Sequence, residues 1–132
     1  MPDTPAGTES ILVVEDDDMV RQHVINQIES LGYTALQAAN GPEAMEIIKS
    51  SVHIDLLFTD IIMPGGMNGR ELAEMAGEHR ANLGVLFTSG YTEDVMIHDG
   101  RLDPSVTLLS KPYRRQQLAE KIREVLGRKI AG

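Results

Sequence analysis

Cysteine is absent from the 132 residues, which excludes disulfides, thiolate ligands and thiol chemistry and fits a reducing compartment. No apolar run approaches the ~20 residues of a membrane span. The first ten residues lack the basic start and apolar stretch of a secretory signal and read as a flexible leader. A cytoplasmic protein without membrane contact is the expectation. Positive charge is scarce as well: the net charge of -8 disfavours nucleic acid as a direct partner, because binding that polyanion needs a basic face. The four histidines, His23, His53, His79 and His98, are scattered without ligand spacing and read as structural or solvent-exposed.

What is present suits one soluble domain large enough to bury a core, with 42% hydrophobic and 24% charged residues. The charge is uneven. Residues 111–132 carry seven Lys or Arg against Glu120 and Glu124, whereas the acids are concentrated before them. That basic end is either a solvated helix face with cations near a helix C-terminus or a docking surface for an acidic partner.

Short apolar runs alternate with helix-period segments, without internal repeats. The runs predict strands over Ser10–Val14, Tyr33–Ala38, Ile54–Thr59, Leu83–Thr88 and Val106–Ser110. Between them, Val20, Val24, Ile28 and Leu31 form one apolar stripe that Gly32 stops. Asn40-Gly41-Pro42-Glu43 reads as a helix start with Asn40 as N-cap, Pro42 in the first turn and Glu43 reaching back as in a capping box, with Ala44, Ile47 and Ile48 inward. A third helix is expected from near Gly69 with Leu72, Ala73 and Ala76 inward. A last one carries Leu118, Ile122, Val125 and Leu126 and ends before Gly127. Thr92–Pro104 has few regularly spaced apolar residues and predicts a short or irregular helix followed by a loop. Strands alternating with helices imply right-handed crossovers and a parallel sheet covered on both faces. The expected fold is an α/β flavodoxin-like (βα)5 three-layer sandwich with strand order 2-1-3-4-5, whose ligands lie at the strand carboxyl ends where the order reverses.

Three of those runs end abruptly in charge. Ile11-Leu12-Val13-Val14 is followed by Glu15-Asp16-Asp17, Leu56-Leu57-Phe58-Thr59 by Asp60, and Val106-Thr107-Leu108-Leu109-Ser110 by Lys111. Parallel strands share one carboxyl-end rim, so these acids and the lysine are expected to converge there. Carboxylates so close repel unless a cation intervenes, and hard oxygen donors without a histidine or cysteine cluster favour Mg2+. Asp60 precedes the turn-prone Ile61-Ile62-Met63-Pro64-Gly65-Gly66 and is placed to act as a carboxylate nucleophile on phosphorus. Such a transfer requires neutralised phosphoryl oxygens, for which the metal, Lys111, and the Thr88 hydroxyl with neighbouring backbone N–H groups are the donors at hand. Pro112 fixes the backbone after the lysine, where a cis Lys111–Pro112 bond is plausible. Each piece has an ordinary reading, since an acidic run after a strand is often a helix N-terminal turn and a Lys-Pro is usually solvated. Their joint placement on one rim carries the argument.

In their order, Ile-Leu-Val-Val-Glu-Asp-Asp, Leu-Leu-Phe-Thr-Asp-Ile-Ile-Met-Pro, Val-Leu-Phe-Thr-Ser-Gly and Leu-Leu-Ser-Lys-Pro-Tyr resemble the receiver domain of bacterial two-component response regulators over residues 9–128. The resemblance implies a domain plan of leader 1–8, receiver 9–128 and tail 129–132. It implies Asp60 as phosphoacceptor, Glu15, Asp16, Asp60 and the Ile62 carbonyl as Mg2+ ligands, and Thr88 and Lys111 as phosphoryl contacts. It implies a histidine kinase or histidine phosphotransfer protein as phosphodonor and leaves a homodimer open. The segments around Met63–Leu72 and Phe87–Tyr91 resemble receivers fused to hybrid sensor histidine kinases, so a hybrid-kinase receiver or a stand-alone one is expected.

There are departures from the family pattern. Leu108 stands where many receivers carry a rotating Tyr or Phe, the loop after Met63-Pro64 is one residue longer, and the fourth helix is degraded. Ile62 cannot orient a water and is expected to shield phosphorus from hydrolysis, while Gly90 leaves room. An Mg2+-dependent aspartyl-phosphate phosphatase or phosphotransferase is the enzyme alternative. Such enzymes place a second carboxylate two residues after the nucleophile, where Ile62 stands, so a self-modifying switch is expected rather than a turnover enzyme.

Overall fold

The apolar runs Ser10–Val14 and Leu56–Asp60 become strands buried on both faces, as a helix-covered parallel sheet requires, whereas Thr34–Ala38 is only partly buried. The computed structural model describes residues 7–61, 67–89, 97–98, 101–102, 107–111 and 113–131. In chain order the elements are β1 (Ser10–Val14), α1 (Asp18–Ser30), β2 (Thr34–Ala38), α2 (Gly41–Lys49), β3 (Leu56–Asp60), α3 (Gly69–His79), β4 (Gly84–Ser89), β5 (Ile97–His98), β6 (Arg101–Leu102), β7 (Leu108–Ser110) and α4 (Arg115–Ala131). Five strands form a parallel sheet in the order β2-β1-β3-β4-β7. With β7 as the fifth strand of the sheet, this is the flavodoxin-like order 2-1-3-4-5 expected from the sequence.

Alternation along β1 divides the core. Ile11 and Val13 pack with Val24, Ile28, Leu118 and Ile122 on the α1/α4 face, while Leu12 and Val14 pack with Ala44, Ile48 and Leu72 on the α2/α3 face. Both layers are needed, because a strand buried on one side alone would expose half its apolar side chains, each contributing about 1.5–3 kcal/mol when buried.

The helix boundaries follow local chemistry. Asp17 caps α1, its side chain accepting from the Met19 and Val20 N–H groups. The chain leaves α1 through Gly32, whose φ of 97° suits glycine and few other residues. Asn40 caps α2 by accepting the Glu43 N–H, and Glu43 reaches one residue beyond the expected capping box to the Ala39 N–H. The reciprocal box occurs instead at α3, between Asn68 and Glu71.

Two expectations are corrected. α4 does not stop before Gly127 but runs on to Ala131; mid-helix glycine is disfavoured by only about 1 kcal/mol relative to alanine, which adjoining turns offset. Among the described residues of Thr92–Pro104 there is no helix: β5 and β6 pair antiparallel, Ile97 opposite Leu102 and His98 opposite Arg101. In sequence an Asp-Gly separates them, a dipeptide that two-residue hairpins favour. The remainder of that stretch, the Ile62 carbonyl, Gly90, the Met63–Gly66 part of the longer loop and the Lys111–Pro112 bond lie outside the described residues. No helix among those described is long and apolar enough to cross a membrane.

Candidate functional site

The rim of the sheet at the carboxyl ends of β1, β3, β4 and β7 gathers the charged residues. Glu15 extends the β1–β2 pairing by one bond, its N–H donating to the Ala38 carbonyl at 3.2 Å. Asp60 is the last residue of β3 and pairs in register with Thr88 of β4. Lys111 follows directly on β7. One carboxylate oxygen each from Glu15, Asp16 and Asp60 lies within 4.8 Å of the others. Glu15 is buried, Asp60 half-buried and Asp16 exposed.

Lys111 bridges the cluster. Its Nζ donates to Glu15 Oε1 at 3.2 Å and to Asp60 Oδ2 at 3.1 Å. Burial works against the ammonium, but the hydrogen bonds and charges of Asp60 and Glu15 prevail and raise its pKa above the ordinary lysine value. On the other Asp60 oxygen, the buried Thr88 Oγ1 donates to Oδ1 at 3.4 Å. The second Glu15 oxygen accepts the Asp17 N–H at 3.1 Å. Asp16 is raised above the usual carboxylate value, first by burial, then by its hydrogen bond to Glu15 and the charges of Glu15 and Asp17. Tyr113, edge-on to Phe58 with ring centroids 6.5 Å apart, walls the site from the α1/α4 side. Burial, then the Glu15 and Asp60 charges, push its phenol far above the ordinary value.

Every described side chain named for the site by sequence is therefore in one cluster. The side chains of Asp17 and Asp18 are engaged elsewhere: the Asp17 carboxylate turns back to cap α1, and Asp18 pairs with Arg21. Tyr113 was visible only as the residue after Lys-Pro. Arg21 was missed, although a cation in the first turn of a helix, where the dipole disfavours it, is a sequence signal of a specific partner. His53 pairs with Asp55 at 2.9 Å on the opposite side of the fold, and no histidine joins a metal-competent group among the described residues. The acidic donors fit a divalent cation of the Mg2+ kind: hard oxygen atoms, close enough to share one ion. Chemically, the arrangement can neutralise charge on the Asp60 carboxylate through Lys111 on one oxygen and Thr88 on the other.

A doubly wound parallel sheet with this acid, threonine and lysine rim defines the class, and the chain belongs to the response regulator receiver domain family, whose model matches residues 11–123. It is thus a phosphoacceptor module of two-component signalling. Among individual proteins, it is 34% identical over 122 residues to the sensor kinase CckA of Brucella abortus, covering 92% of this chain but only 13% of that protein. It is 33% identical over 116 residues to the response regulator receiver protein CpdR of the same organism, covering 88% of this chain and 95% of CpdR. The crystal structure of the receiver domain from the hybrid histidine kinase CckA matches with a TM-score of 0.72 at 36% identity, covering 89% of this chain and 98% of that one. A receiver protein from Sinorhizobium medicae WSM419 matches with a TM-score of 0.83 at 24% identity, a likeness of fold.

Proposed function

We propose that Asp60 is the phosphoacceptor and that it takes a phosphoryl group from the phosphohistidine of a histidine kinase or histidine phosphotransfer protein. The observation that carries this reading is the double engagement of the Asp60 carboxylate, by Lys111 at 3.1 Å on one oxygen and Thr88 at 3.4 Å on the other, beside Glu15 and Asp16. An Asp60 oxygen forms the new bond to phosphorus as the phosphorus–nitrogen bond of the donor breaks, and the departing imidazole takes up a proton. As negative charge grows on the phosphoryl oxygens, the Lys111 ammonium and the Thr88 hydroxyl, already beside Asp60, turn their hydrogen bonds to those oxygens and stabilise it. Glu15, Asp16, Asp60 and the Ile62 carbonyl would hold Mg2+, which when bound supplies further neutralisation of phosphoryl oxygens.

The receiver unit spans 9–128, after a leader over 1–8, with α4 continuing beyond it. Its setting is cytoplasmic, either within a hybrid sensor histidine kinase or as a stand-alone receiver; similarity to both CckA and CpdR supports either. Incubation with Mg2+ and acetyl phosphate, followed by intact-mass measurement, tests the assignment. One phosphoryl adduct, lost in Asp60→Asn, is the expected result. Steady phosphate release would favour the aspartyl-phosphate phosphatase reading, and no reaction a binding scaffold.

A further inference from the structure

The loop that carries Glu15 and Asp16 is held from outside the acidic cluster. The β1–β3 register ends at Val14 opposite Thr59, so the Glu15 carbonyl lies past the last strand pair on that side. Arg21 takes it: Nη1 donates to the Glu15 carbonyl oxygen at 2.9 Å. The same guanidinium donates through Nε to Gln37 Oε1 on β2 at 3.0 Å and pairs through Nη2 with Asp18. Its side chain is only 15% exposed. The Glu15 peptide is therefore pinned at both ends, its N–H by Ala38 and its carbonyl by Arg21, and the next residue in the chain is Asp16.

We propose that Arg21 is the positioning residue of this loop, fixing the Glu15 peptide so that the Asp16 carboxylate is presented beside Asp60 for a divalent cation. The inference rests on the metal site proposed above. A planar fork is required, because three acceptors lie in three directions and an ammonium on a flexible stem cannot hold all of them in one plane. Two effects oppose each other. The guanidinium charge repels an incoming cation, while the fixed loop favours it; the pairing with Asp18 offsets part of the repulsion, so the positioning effect prevails.

Calorimetric titration of the full chain with MgCl2, alongside thermal melts without divalent ions, tests this in wild type, Arg21→Met, Arg21→Lys, Gln37→Leu and Asp16→Asn. Replacing groups that orient metal ligands commonly weakens metal affinity by about 10–100-fold, and Arg21→Met is expected at about the lower end of that range. Arg21→Lys keeps the charge and should not restore affinity, and Gln37→Leu, which removes one strut, should show a smaller loss. Wild-type affinity in Arg21→Met would overturn the inference, leaving Arg21 a purely structural residue. Tighter binding would overturn it too, by showing that repulsion dominates. Should Arg21→Met fail to fold, unchanged affinity in both Arg21→Lys and Gln37→Leu would overturn it. If wild type itself binds no Mg2+, the metal-site reading falls and this inference with it. If Asp16→Asn abolishes binding while the Arg21 variants bind normally, only the inference falls.

Discussion

Replacing Lys111 with methionine removes a cation that Glu15 and Asp60 share while keeping an apolar stem of similar length. In the wild type the Lys111 side chain is 28% exposed, and its partners' side chains are 7% and 13% exposed. A hydrogen bond to a charged group contributes about 1.5–3 kcal/mol. Stranding one member of a fully buried pair costs about 3–5 kcal/mol, and exposed pairs contribute about 0–1. For this half-buried pair of contacts the loss should be roughly 2–3 kcal/mol, between those limits. At about 3–5 °C per kcal/mol for a domain of this size, the melting temperature should fall by roughly 6–15 °C without divalent ions. Adding Mg2+ should stabilise Lys111→Met more than wild type, because the ion then supplies charge that the lysine no longer does. The alkaline limb adds a second readout. The raised Lys111 pKa means that its contribution is complete below the ordinary value of 10.5 and is lost as pH climbs through the folded value, so that loss should be missing from the variant. Differential scanning calorimetry across pH, with and without MgCl2, makes the measurement. An unchanged or higher melting temperature without divalent ions would refute the reasoning, by showing that desolvating the ammonium outweighs its two ion pairs.

Other perturbations have equally definite signs. Asp16 has a raised pKa, so the folded state holds its proton more tightly than the unfolded chain, and stability falls as pH rises from the ordinary value of 3.8 through the folded one. Asp16→Asn should therefore raise the melting temperature at neutral pH without divalent ions and remove Mg2+-dependent stabilisation; a lower value would contradict the repulsion argument. Gly69 opens α3 directly against the end of β3, and an added Cβ there would land on the Asp60 carbonyl oxygen. Gly69→Ala should cost about 1–3 kcal/mol by overpacking and slow modification by acetyl phosphate, and wild-type stability would show that α3 can shift freely. Glu9 sits in a bidentate pair with Arg123, at 3.0–3.1 Å, beside the Tyr33 hydroxyl. Burial would raise the Glu9 pKa, but Arg123 prevails and lowers it below 4.5, so its contribution is complete above 4.5 and lost as pH falls through the folded value. Glu9→Gln should flatten acid unfolding below pH 4.5 as followed by circular dichroism, and an acid limb identical to wild type would rule this pair out as a contributor.

Much of the fold can be read from local pattern. β1 coincides with its apolar run, and Asn40 and Gly32 mark helix boundaries because capping and positive φ are decided by a few adjacent residues. Where the local signal is weak, the reading fails. Gly127 looks like a stop, but a glycine is only a small penalty inside a helix anchored by Leu118, Ile122 and Val125, so α4 continues. The β5–β6 pair replaces the expected helix among the described residues of its segment because two-residue strands leave almost no periodicity to detect.

The sequence by itself determined which residues stand at the strand ends, since a parallel sheet built from these runs brings Glu15, Asp60, Thr88 and Lys111 to one rim whatever the rotamers. Only the tertiary structure decided how the charges are shared among them. Asp17 leaves the acidic run to cap α1, Lys111 spans Glu15 and Asp60, and Arg21 reaches from α1 to β2 to hold the Glu15 peptide. Those choices depend on side-chain reach between elements distant in the chain, and differences of one or two ångströms decide which acid meets which cation.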